Sequence, residues 1–211
     1  MISHPRETLF VHIPKTGGQS VETVFLRDLG LSWRERDTLL LRHNDDRAKG
    51  PEKLAHLYAS EYVALGHLEA DRFARYLKFT IVRHPFDRVL SEYRYRAAAM
   101  QRRSAGRDMP DLDAFLQTDS SDEYSDLSRH LVPQVRYIRD AQGRCLVDEV
   151  LRFEDLAQQI APLFTRIFGA VRALPHHNKS AQNAEMRLTA AQKEQVFLRY
   201  RADFEAFDYA P

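Results

Sequence analysis

The chain has 211 residues, 44% of them hydrophobic and 29% charged, a composition that supports one continuous core in a soluble globular protein. A formal net charge of +1 gives no overall attraction to nucleic acid or to an anionic membrane, so electrostatic function must be local. The single cysteine, Cys145, excludes an internal disulfide and fits a reducing compartment, and no apolar run approaches the roughly 18 residues of a membrane span. The opening MISHPRETLFVHI lacks a signal-peptide layout, so a cytoplasmic protein is expected, folded as a single domain over residues 1–211 with no stable membrane insertion.

In chain order, the apolar, β-rich run Thr8 to Ile13 predicts a buried strand closed by the turn residues Pro14 to Gly18. From Ser20, the spacing of Val21, Val24, Phe25 and Leu29 predicts a helix stopped at Gly30. A second strand is expected over Thr38 to Leu41, a helix around Glu52 to Ser60, and a short strand from Tyr62 to Leu65 ending at Gly66-His67. A short helix over Glu69 to Tyr76 precedes the strand Lys78 to Val82. Pro85 then opens a helix that runs to about Arg102. Residues 103–130 are polar and mixed, with two short helices at most. Val147 to Phe153 predicts another strand, Glu154 to Phe168 a helix, 174–183 a loop, and Thr189 to Phe204 the last helix. Strands alternating with helices argue for an α/β layer fold with a mostly parallel sheet.

Two segments carry chemistry. HIPKTGGQS (12–20) joins a strand to a helix, as a phosphate-binding unit does. Gly17 and Gly18 let backbone approach an anion, and the helix start adds N–H groups and dipole. Lys15 and the hydroxyls of Thr16 and Ser20 add donors. A plain β-turn with an exposed lysine would use the same residues. The order also differs from the nucleoside-triphosphate loop, where lysine follows the last glycine. KFTIVRHPFDRVLSEYRY places Arg83 at a strand end and Ser91 two turns into the next helix. Taken singly, these are a surface charge and a polar residue on a solvated face.

Together the two segments resemble the superfamily of sulfotransferases that use 3′-phosphoadenosine-5′-phosphosulfate (PAPS), most closely the branch of heparan 2-O-sulfotransferase and bacterial carbohydrate sulfotransferases. That family carries FxHIPKTGGTS around the 5′-phosphosulfate and R-x-P-x-x-R-x-x-S at the 3′-phosphate. VDEVLRFEDL (147–156), LPHHNKS (174–180) and FEAFDY (204–209) extend the likeness. The resemblance implies a P-loop-like three-layer α/β fold, with a central mostly parallel sheet flanked by helices. It implies PAPS as sulfuryl donor, 3′,5′-adenosine bisphosphate as product and no metal. Lys15, Thr16, Gly17, Gly18, Gln19 and Ser20 would hold the 5′ end, Arg83 and Ser91 the 3′-phosphate, and Asn178, Lys179 and Ser180 would close over the nucleotide. Gln19 stands where the family places threonine.

The acceptor would be a hydroxyl-bearing molecule, a saccharide, in a bacterial cytoplasm. Transfer needs a base of suitable pKa. The resemblance implies His67, from its place in ALGH, with Lys15 stabilising the leaving oxygen. His12 reads as a packed or hydrogen-bonded residue, and His84 as pointing away from the ligand. Glu22 reads as a complement to the helix dipole, or as an alternative base. The arginines of the Pro85 helix (Arg88, Arg94, Arg96, Arg102, Arg103, Arg107) read as a solvated face in preference to a saccharide platform. The rival readings are a kinase-like phosphotransferase and a PAPS-binding protein without transferase activity.

Overall fold

A computed structural model describes residues 1–103, 109–175 and 186–211. Four strands form one sheet in the order β1 (Ile2–Ser3), β2 (Thr8–Val11), β3 (Leu77–Val82), β4 (Glu149–Arg152). β1 is antiparallel to β2, whereas β2–β3 and β3–β4 are parallel, with Val11 opposite Thr80 and Val82 opposite Arg152. Inward residues alternate as the pleat requires. Leu9, Val11 and Val82 join the core on one face, with α4 (Pro85–Arg103) and the last helix; Phe10, Phe79, Ile81 and Leu151 join the other, with α1 (Gly18–Asp28) and α8 (Leu156–Phe168). Helices therefore cover both faces of a mostly parallel sheet, as the sequence implies.

The remaining helices are short, α2 (Glu61–Ala64), α3 (Ala70–Arg75), α5 (Leu112–Leu116), α6 (Asp126–Arg129) and α7 (Val135–Ile138), until α9 (Ala190–Phe207). Two expected strands are absent from the sheet. Thr38–Leu41 is overtaken by a 3₁₀ segment, Trp33–Leu39, started by a capping box between Ser32 and Glu35 and ended by Leu40 at φ 63°. The signal S-x-x-E was present, and it outweighs the apolar run that follows. Tyr62–Leu65 is instead mostly α2, because the Glu61 carboxylate accepts from Tyr58 N and Gly66 ends the turn at φ 71°. The helix expected over Glu52–Ser60 reduces to a 3₁₀ turn, Leu54–His56. Its backbone is used in tertiary bonds instead, Glu52 N to Tyr124 O and Ala59 N to Tyr137 O.

Candidate active site

Because β2, β3 and β4 run parallel, Val11, Val82 and Arg152 end on the same side of the sheet, where open α/β sheets carry their ligands. The loop after β2 turns through Lys15 at φ 72° and Gly17 at φ 86°. For lysine that conformation costs about 1–3 kcal/mol and has to be held by its surroundings. Thr16, fully buried, donates its hydroxyl to Ile13 O at 2.8 Å, and Arg88 Nε reaches Pro14 O at 3.1 Å. Gly17 is required by its left-handed backbone and Gly18 by sterics. A Cβ at Gly17 would stand 3.0 Å from the Phe153 ring, and one at Gly18 would stand 2.2 Å from the His12 ring. Gly17 caps α1, so the first N–H groups of that helix lie beside the loop.

The Lys15 ammonium lies 4.1 Å from the Tyr95 ring centroid. Burial holds its pKa below the ordinary value, Glu92 opposes that shift and Arg83 adds to it. Arg83 lies over the Phe153 ring at 4.4 Å and donates to Lys15 O at 3.3 Å. Gln134, fully buried, fixes the Arg83 backbone twice, accepting from its N and donating to its O, each at 2.9 Å.

A cavity of about 600 Å³ opens here, with Lys15, Gly17, Gly18, Ser20, Arg83 and Ser91 on its loop side. Its opposite wall carries Arg36, Arg42, Lys53, His56 and His130. Among the described lining residues the only carboxylate is Glu22, and that one is bound to His12. The cavity is thus built for an anion. A model of the sulfotransferase family matches residues 1–210. The chain belongs to the sulfotransferase family. No curated protein matches it.

This sulfotransferase-family chain brings Lys15, Gly17, Gly18, Gln19, Ser20, Arg83 and Ser91 to one cavity. Thr16 lies beneath the loop, outside the lining. His67 is also outside it, half-buried, its Nε2 2.7 Å from Lys49 O, since the segment before it is a helix and not a strand of the sheet. Asn178, Lys179 and Ser180 lie outside the described residues. The solvated-face reading of the α4 arginines is corrected at Arg88 and Arg94, whereas Arg102 is exposed and Arg107 lies outside the described residues. Arg88 is buried and donates to Pro14 O, Val132 O and His130 O, Arg96 binds Glu92 at 2.7 Å, and Arg94 lines the cavity. Glu22 is corrected as well. It is buried against His12 Nδ1 at 2.6 Å; burial favours its neutral form, but His12 and the amino group of Met1 hold it below the usual carboxylate range. His84 stays out of the lining, its Nε2 3.0 Å from Ala210 O.

A set of histidine–carboxylate pairs beside the loop was not anticipated beyond His12, which read as packed or hydrogen-bonded. Three imidazoles stand edge to face, His12 to His56 at 4.9 Å and His56 to His130 at 5.1 Å between centroids. Each presents Nδ1 to its own carboxylate, His12 to Glu22 at 2.6 Å, His56 to Asp126 at 2.5 Å, His130 to Glu92 at 2.8 Å. Lys53 Nζ sits 2.6 Å from Asp126 Oδ2. His56, Asp126 and His130 bring ligand atoms within 4.8 Å of one another, a spacing that could hold a metal ion. The Lys53 ammonium already places a positive charge on that carboxylate, so the cluster is balanced as an ion network. Burial opposes a charge on Asp126, yet His130 and His56 keep it well below the carboxylate range. Burial likewise opposes a charge on His130, yet Asp126 and Glu92 raise its pKa above the ordinary value. No motif carries these residues, because the contacts join segments as far as 73 residues apart.

Proposed function

We propose that the protein is a PAPS-dependent sulfotransferase that acts on a hydroxyl of a saccharide acceptor. The observation that carries this reading is the convergence of Lys15, Ser20, Arg83 and Ser91 in one cation-lined cavity at the sheet's carboxyl end. The order of the loop suits a P-loop-like element that serves a phosphosulfate, and the donor set fits that group. It comprises a helix start with two glycines, one lysine within the loop and a planar guanidinium at the next strand end.

When bound, PAPS supplies the sulfuryl group. The residues of the chain then divide the work. Gly17, Gly18, Gln19 and Ser20 bind the 5′ end with backbone and side-chain donors. Arg83 and Ser91 bind the 3′-phosphate, and Asn178, Lys179 and Ser180 are assigned to the nucleotide by family likeness. Lys15 stabilises charge on the leaving oxygen, the kind of electrostatic contribution that usually dominates catalysis. An imidazole removes the acceptor proton. The likeness assigns this to His67, while the cavity offers others.

The test is calorimetric titration with 3′,5′-adenosine bisphosphate against ATP-Mg²⁺, followed by transfer of labelled sulfate from PAPS to a panel of oligosaccharides. Preference for the bisphosphate and labelled product are expected. Preference for ATP would make the protein a phosphotransferase, and tight bisphosphate binding without transfer to any acceptor would leave only a binding protein.

A further inference from the structure

Among the described residues four imidazoles line the cavity, His12, His43, His56 and His130, and they are not equivalent. His12 is pressed beneath Gly18, so close that a Cβ there would meet its Nε2 and Cδ2 at 2.2 Å, which makes it a support for the loop. His130 Nε2 is buried without a hydrogen bond, 3.5 Å from Asp126 Oδ2. His43 is exposed and its Nε2 is taken by Asp45 at 2.8 Å. His56 differs from all three. Its Nδ1 is fixed on Asp126, and among the described residues no hydrogen bond engages its Nε2.

We propose that His56 is the base of the transfer reaction, with Asp126 as its positioning residue. The carboxylate accepts the Nδ1 proton, which fixes the tautomer and leaves the Nε2 lone pair for the cavity, the division of labour that defines an acid–base His–Asp pair. His56 Nε2 takes the acceptor's hydroxyl proton while the hydroxyl oxygen bonds to sulfur. The bond from sulfur to the bridging phosphate oxygen breaks, and its electron pair leaves with 3′,5′-adenosine bisphosphate. Lys53 holds the carboxylate from a further direction, and the Asp126 backbone N–H donates to Glu52 Oε2 at 2.9 Å, which anchors the residue's main chain. The groups facing His56 are Asp126, His12 and His130. Burial, against the pull of Asp126, pushes its pKa down to about 4, so the ring is neutral at neutral pH.

This assignment rests on the sulfuryl-transfer reading, and the experiment separates the two. Wild type, His56→Ala, His56→Gln, Asp126→Asn and His67→Ala are titrated with 3′,5′-adenosine bisphosphate and assayed for ³⁵S transfer from PAPS to desulfated heparin oligosaccharides, with hydrolysis to free sulfate as the second readout. Loss of a general base should lower turnover by about 10²–10⁴-fold in both His56 variants, with bisphosphate affinity retained. Added imidazole should partly restore His56→Ala. Nitrogen NMR of the wild type should show His56 neutral at pH 7 with its proton on Nδ1, and Asp126→Asn should disturb that tautomer. Full turnover in the His56 variants, or turnover lost in His67→Ala alone, overturns the assignment and leaves the sulfotransferase reading standing. Should the His56 variants not fold, the NMR decides, since a charged ring or a proton on Nε2 overturns it. A wild type that neither binds the bisphosphate nor transfers sulfate removes both.

Discussion

The two walls of the cavity are built by opposite means. The loop wall is local: nine consecutive residues set Lys15, Gly17, Gly18 and Ser20 in place, and backbone dihedrals do most of the positioning. The facing wall is assembled from distant segments by ion pairs, with Lys53 and His56 from one, Asp126 and His130 from another, and Glu92 from α4. Local geometry places donors for an anion whose shape is fixed. A buried polar network tunes protonation, because a low local dielectric lets neighbouring charges act strongly on each other. On the proposed reading, binding and proton transfer come from different structural sources.

The comparison can be tested from both sides. Lys15→Ala should lower turnover by about 10²–10³-fold with a smaller change in bisphosphate affinity, as expected for a donor that acts on developing charge. Single-turnover rates alongside calorimetry would check the split. Next is Arg88→Ala, which strands three carbonyls and should destabilise by about 3 kcal/mol in urea unfolding, because unsatisfied buried groups are costly. Arg83→Ala removes a charged contact worth about 1.5–3 kcal/mol and should weaken bisphosphate binding with less effect on turnover.

A further test lies in pH. The unfolded His56 value is near 6.5 and the folded one is lowered to about 4, so the unfolded chain binds more protons between them. The stability His56 contributes is present above 6.5 and is lost as pH falls toward 4. His130, shifted upward, contributes in the opposite sense, so the comparison to make is wild type against His56→Gln. Wild type should lose more stability than the variant over that interval.

How much of this was legible follows from the same division. β2, β3, α1 and α4 appear in the sequence because period and end signals agree over consecutive residues, and the loop glycines declare themselves by type. The Trp33–Leu39 turn was also legible through Ser32 and Glu35, but a short apolar run concealed it. His67 drew attention because Tyr62–Leu65 looks like a strand until Gly66 and Glu61 turn it into a helix. Gln134 was beyond reach: its amide clamps Arg83 across 51 positions, and nothing around it in LVPQVRY marks it. The second arginine of RHPFDR looked like surface charge because charge pattern alone does not reveal burial.

That arginine has a mechanical consequence. One guanidinium bonds the loop at Pro14 and the opposite wall at His130 and Val132, so the two sides cannot separate without breaking a buried contact. The guanidinium therefore ties both sides into one mechanical unit.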